Sequence, residues 1–176
     1  MPGKDSSEYF GYVIAFVLPG FLALWVVSHF DPVSAGWLGT LATKDLTVGA
    51  FLFAGLASLG LGMFLGGARW LVFDLCLMPL LRVPDSKPLD QAKRKDLEAP
   101  YRAIIEDHYR FYQFYANSAV ALALAALVLW SRLPAGALVL LLGTEAVLIV
   151  SARDALKKHR TKVEQLLGLY SPGKAA

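Results

Sequence analysis

The sequence predicts an all-α fold: an integral membrane four-helix bundle with both termini in the cytoplasm and helices three and four extended into it. Three observations carry this reading. Of 176 residues, 56% are hydrophobic and 18% charged, with a mean hydropathy of +0.51, whereas soluble domains carry about 25% charged residues. So short a chain has too much surface for its volume to hide this much apolar side chain from water. Four apolar runs are each close to the ~20 helical residues that cross about 30 Å of hydrocarbon. Lys and Arg gather on alternate sides of those runs, which fixes an orientation. Barrel strands are excluded, because they are about 10 residues long and alternate in polarity.

Span one covers 9–30. Asp5 and Glu8 ahead of it have capping-box spacing and suit the positive end of a helix dipole. That acidic leader, the length of the run and the lack of a small-residue cleavage site argue against a signal peptide. Pro19 and Gly20 lie near its middle, where proline removes a backbone hydrogen bond and frees the carbonyl of Ala15, so a kink is expected.

Span two covers 46–68. Ala50, Ala54, Ser58, Gly62 and Gly66 recur every fourth residue and so share one face, the small-residue spacing that lets helices approach closely in lipid. That face packs within the bundle or between subunits. The stretch 69–81 is apolar but carries Arg69 and Asp74. It is read as a break near Gly66 and Gly67, then a segment along the inner interface with Arg69 snorkelling and Trp70 anchoring. The alternative is one span shifted toward Leu75.

A cytoplasmic insertion, 82–110, holds Arg82, Lys87, Lys93, Arg94, Lys95, Arg102 and Arg110. Pro84 and Pro88 punctuate it, and Pro100 starts a helix that can run into span three. Spans three and four, 111–131 and 133–152, are joined by a tight turn at Arg132 to Pro134. The last helix continues through 153–168 with Arg153, Lys157, Lys158, Arg160 and Lys162. By the positive-inside rule the termini and the insertion face the cytoplasm, and Asp31 to Asp45 and the Arg132 turn lie outside. The location expected is a multi-pass membrane protein, in the inner membrane if the source is bacterial. One membrane domain, 1–176, accounts for the chain.

Glu145 is the one charge inside span four, and a carboxylate at that depth costs a few kcal/mol or more unless it is neutral, paired or hydrated. In an antiparallel hairpin it lies level with Asn117 and Ser118, and Ser58 sits near the same depth. Two readings compete: a protonated Glu145 bonded to Asn117 that fixes packing, or an acid on a wet path for protons or cations. The same register sets His108 beside Asp154 and Asp107 beside Lys157, polar pairs that would lace the hairpin at the cytoplasmic boundary.

Enzyme signatures are absent. Gly60, Gly62 and Gly66 mimic part of a phosphate loop but lie inside a span. His29 with Asp31, and Asp107 with His108, lack a nearby nucleophile or metal-site spacing. No catalysis, cofactor or metal is expected. Cys76, the single cysteine, reads as a small buried residue or a palmitoylation candidate. The aromatic residues at the inner boundary are anchors and not a nucleic-acid surface, and the basic clusters suit anionic lipids. The leading expectation is a homo-oligomeric protein that conducts ions or permeabilises the membrane, with Glu145, Asn117, Ser118 and Ser58 at the path and the cytoplasmic helices as its control element. The alternative is a non-catalytic anchor or sensor subunit that recruits a soluble cytoplasmic partner.

Overall fold

The computed structural model describes residues 10–42, 47–80, 101 and 108–169. Asp5, Glu8, Asp107 and nearly all of the 82–110 insertion lie outside the described residues, and with them the expected cap ahead of span one, the Asp107–Lys157 pair and the helix start at Pro100. The described elements are all helical, and four are long and apolar enough to cross a membrane. In chain order they are α1 (Phe10–Val27), the shorter α2 (Pro32–Ala42), α3 (Val48–Leu80), α4 (Arg110–Leu129) and α5 (Ala135–Leu169). A 3-10 turn, Trp130–Arg132, closes the α4–α5 connection.

Two prolines shape the winding. Pro19 has no N–H to give, and its ring crowds the carbonyl four residues back. The five residues Val13–Val17 ahead of it are wound as a π-helix, and the Leu18 N–H donates to Val13 O, five residues away. Trp70–Leu77 ahead of Pro79 repeats the arrangement, with the Met78 N–H donating to Phe73 O. A widened turn thus absorbs the missing bond at both sites.

That second π segment corrects the expected break at Gly66 and Gly67. The helix runs through both glycines to Leu80, and its 33 residues span roughly 50 Å at about 1.5 Å per residue. Glycine lowers helix propensity by only about 1 kcal/mol, and burial of Leu65, Arg69, Phe73 and Met78 along one side holds the continuous helix in place. Its start is capped by Thr47, whose Oγ1 accepts from the Ala50 N–H at 3.2 Å.

The connection between α1 and α3 contains α2. Asp31 caps it, its Oδ2 accepting from the Ser34 N–H at 2.8 Å and from the Ser34 hydroxyl at 2.7 Å. Trp37 of α2 stacks on Phe53 of α3 at 5.7 Å.

The core lies among α1, α3 and α4 and takes in Ala152, Ala155 and Leu156 of α5, whose chief packing partner is α4. The small-residue stripe settles on the intrachain side. Ala50, Ala54, Ser58 and Gly62 are buried, and Gly66 is half-buried. A Cβ on Gly20 would stand 1.7 Å from the backbone oxygen of Ser58, and one on Gly62 would stand 2.0 Å from that of Phe16. At those two points the α1 and α3 backbones touch. Cation–π contacts tie α1 and the turn after it to α4 and the turn after that. Arg110 lies 3.9 Å from the Tyr12 ring centroid and Arg132 lies 5.9 Å from that of Phe30.

Gly62→Ala is expected to lower stability by ~1–3 kcal/mol, the usual cost of overpacking. Gly60→Ala, which meets nothing within 4 Å, should leave it unchanged or raise it slightly. Thermal unfolding of the two variants in one detergent separates these outcomes.

The Asp31 carboxyl is held below its ordinary value of 3.8 by the Ser34 hydroxyl first and the Ser34 N–H second. The sign follows from linkage: the cap's contribution is full above that ordinary value and is lost as the pH falls through the lowered folded value. Amide exchange at Ser34 should therefore lose protection only in strong acid, and Asp31→Asn should remove that pH dependence.

Candidate functional site

The polar residues of the apolar helices fall into three centres and a boundary cleft. The first centre sits where Pro19 frees the Ala15 carbonyl. Asn117, fully buried on α4, donates from Nδ2 to Ala15 O at 2.8 Å. The expected orphan carbonyl is therefore capped across the α1–α4 seam. Asn117 Oδ1, Ser118 Oγ and Ser58 Oγ are buried with no protein partner among the described residues. Ser58 lies where its backbone meets Gly20. The bond anticipated between Asn117 and Glu145 is not formed, because the Asn117 amide is turned to α1.

The second centre went unseen in the sequence. Arg69 donates from Nη1 to Asp74 Oδ2 at 2.9 Å, and the Tyr112 hydroxyl donates to Asp74 Oδ1. The guanidinium also lies 5.0 Å from the centroid of the Tyr112 ring. Arg69 and Tyr112 are buried, so Arg69 does not snorkel to an interface but is sealed between α3 and α4. Arg69 and Asp74 are five residues apart, a spacing that 3.6 residues per turn puts on different faces. The π winding from Trp70, with its i to i+5 bonds, brings them together.

The third centre is Glu145. It shares the α5 stripe of Leu148, Ile149 and Ala152, the residues that pack on the core. It is half-buried, and its Oε2 is enclosed with no protein partner among the described residues. The opposite face of α5 is bare: Val139, Leu140, Val147 and Val150 are exposed, and Gly136 and Gly143 meet nothing within 4 Å. Only 6% of the α5 apolar window is buried, against 44% for α4. The helix is thus held along one side only.

At the boundary, His108 and Asp154 line the same cleft as expected, yet no hydrogen bond joins them; Asp154 pairs instead with Lys158 at 2.6 Å on its own helix. Lys157 is exposed, and its proposed partner Asp107 is outside the described residues. His29 and Asp31 do not form a pair: the ring of His29 binds Trp25 O through Nδ1 at 2.9 Å, and Asp31 caps α2. Cys76 is exposed and not buried. Among the described residues no three His, Cys, Asp or Glu side chains come together as a metal site.

Comparison with protein families, curated proteins and solved structures gives no match. The residues themselves carry the functional argument.

Removing the Asp74 carboxylate should cost about 3–5 kcal/mol, because it leaves the Arg69 charge buried and unpaired. The double change Arg69→Met, Asp74→Leu should cost less than Asp74→Leu alone. Asn117→Leu should cost on the order of 0.6–2 kcal/mol, the range for one interhelical hydrogen bond in lipid. Thermal unfolding in detergent checks both, as a double-mutant cycle for Arg69 and Asp74 and as a single variant for Asn117.

Proposed function

We propose that this chain is a multi-pass membrane protein that assembles into a homo-oligomer and conducts protons or cations, with Glu145 on the path. The observation that supports it is the state of Glu145. A carboxyl near the middle of the apolar run 133–152 has an enclosed oxygen that no described side chain satisfies. At bilayer depth an unpaired carboxylate needs a proton, a cation or water, and such residues mark ion paths. The helix that bears it packs chiefly on one neighbour, so protein covers Glu145 from one side only and its other side is open to lipid, water or another copy. The bare apolar face of α5, rich in small residues, suits packing against another copy. Asn117, Ser118 and Ser58 then act as packing bolts, because they are closed into the core beside the Ala15 carbonyl and Gly20. The cavity between α1, α3 and α4, about 160 Å³ and lined by Ala23, Val26, Leu61, Leu65 and Leu124, is apolar and offers no route. In this reading both termini face the cytoplasm.

The second reading, an anchor or sensor subunit, is favoured by the unbroken run of α5 to Leu169, well past the apolar stretch. That extension would present Arg153, Lys157 and Lys162 to a soluble partner.

Purified protein in liposomes should pass protons or monovalent cations, and Glu145→Gln should change the flux or its ion preference at least several-fold. Unchanged flux and selectivity in Glu145→Gln would remove Glu145 from the path. Absence of any flux, with a soluble protein co-purifying through the cytoplasmic segments, would favour the anchor.

A further inference from the structure

We infer that the boundary cleft between α4 and α5 is a binding site for one aminophospholipid headgroup. The inference rests on the membrane reading above, not on conduction. The cleft measures about 400 Å³, inside the ~300–1,000 Å³ range of small-molecule sites. Its position is set by the sequence of α5. The apolar run 133–152 ends at Ala152, Arg153 is the first charge beyond it, and the cleft reaches from Val150 to Lys158. It therefore straddles the level at which hydrocarbon gives way to headgroups.

The lining is divided to match. Phe111 and Val150, both exposed, form an apolar lip on the hydrocarbon side. His108, Ser151, Asp154 and Lys158 supply the polar part. Asp154 Oδ2 and the Lys158 ammonium hold each other at 2.6 Å, and both side chains remain more than half exposed. Each keeps unused valence, since an ammonium has three donors and a carboxylate two oxygens. An acid and a base fixed side by side complement a ligand that carries both charges. A phosphodiester accepts from Lys158, the Ser151 hydroxyl and the His108 ring N–H, while a primary ammonium donates to the free Asp154 oxygen. A purely anionic headgroup leaves Asp154 opposed to its charge, and a soluble zwitterion leaves the apolar lip unused. Phosphatidylethanolamine fills all three requirements.

Native mass spectrometry of the full chain in detergent, with phosphatidylethanolamine and phosphatidylglycerol added in equal amounts, tests this. One phosphatidylethanolamine per chain should be retained at least fivefold over phosphatidylglycerol. Asp154→Asn should abolish that preference, Lys158→Gln should weaken both lipids, and Gln165→Ala, exposed and outside the cleft, should change neither. Both cleft side chains are exposed, so these variants keep the fold, which helical circular dichroism checks. Equal retention of the two lipids, or a preference that survives Asp154→Asn, would overturn the site. So would displacement of the lipid by an equal concentration of water-soluble glycerophosphoethanolamine. A chain that stays in solution without detergent would instead overturn the membrane reading itself.

Discussion

The close approach of α1 to α3 is the constraint on which the remaining structure depends. At Gly20 against Ser58, and at Gly62 against Phe16, there is no room for a single methyl group. Helices surrounded by lipid gain nothing from burying apolar surface against each other, so association rests on backbone proximity and on polar bonds. The contact sets the depth of α1 in the bundle, and that depth places the Ala15 carbonyl within reach of Asn117 on α4. Proline, glycine and asparagine act together there: Pro19 releases an acceptor, Gly20 allows the approach, and Asn117 supplies the donor.

Beyond this core the chain holds its charges in two different ways. Arg69, Asp74 and Tyr112 form a linked set across α3 and α4, each side chain bonded to another, with the Arg69 Nε left unanswered among the described residues. Such a set fixes the pairing of two helices, because losing one member strands the others. Glu145 is the opposite case, an acid on the least buried of the four long helices with an oxygen that no described group answers. The contrast separates two roles: a bonded network rigidifies, and an unsatisfied carboxyl in an apolar seam is where the proposed proton or cation path would run.

Much of the fold was legible from residue pattern. Apolar length marks all four long helices, and the four-residue recurrence from Ala50 to Gly62 marks the face of α3 that is buried. The freed Ala15 carbonyl could be located from Pro19 alone. The identity of its partner could not, since Asn117 had two neighbouring helices to choose between and only the tertiary arrangement decides. The continuation of α3 past Gly67 was hidden because Arg69 and Asp74 look like charges that must leave an apolar helix. Their pairing at a spacing of five requires π winding, and Pro79 is the one local sign of it. The α2 helix went unread because its apolar and polar residues follow no helical period, although Asp31 and Ser34 stand at capping distance.

The bare side of α5 ties these strands together: a helix this apolar, covered along one flank by α4, meets either lipid alone or another copy of itself. The mass of the protein particle in a lipid nanodisc decides most directly. The account predicts two or more copies of the 19.1 kDa chain in each particle, lost when Gly143 on that face is replaced by a bulky residue. A single chain per particle at every protein-to-lipid ratio would contradict it.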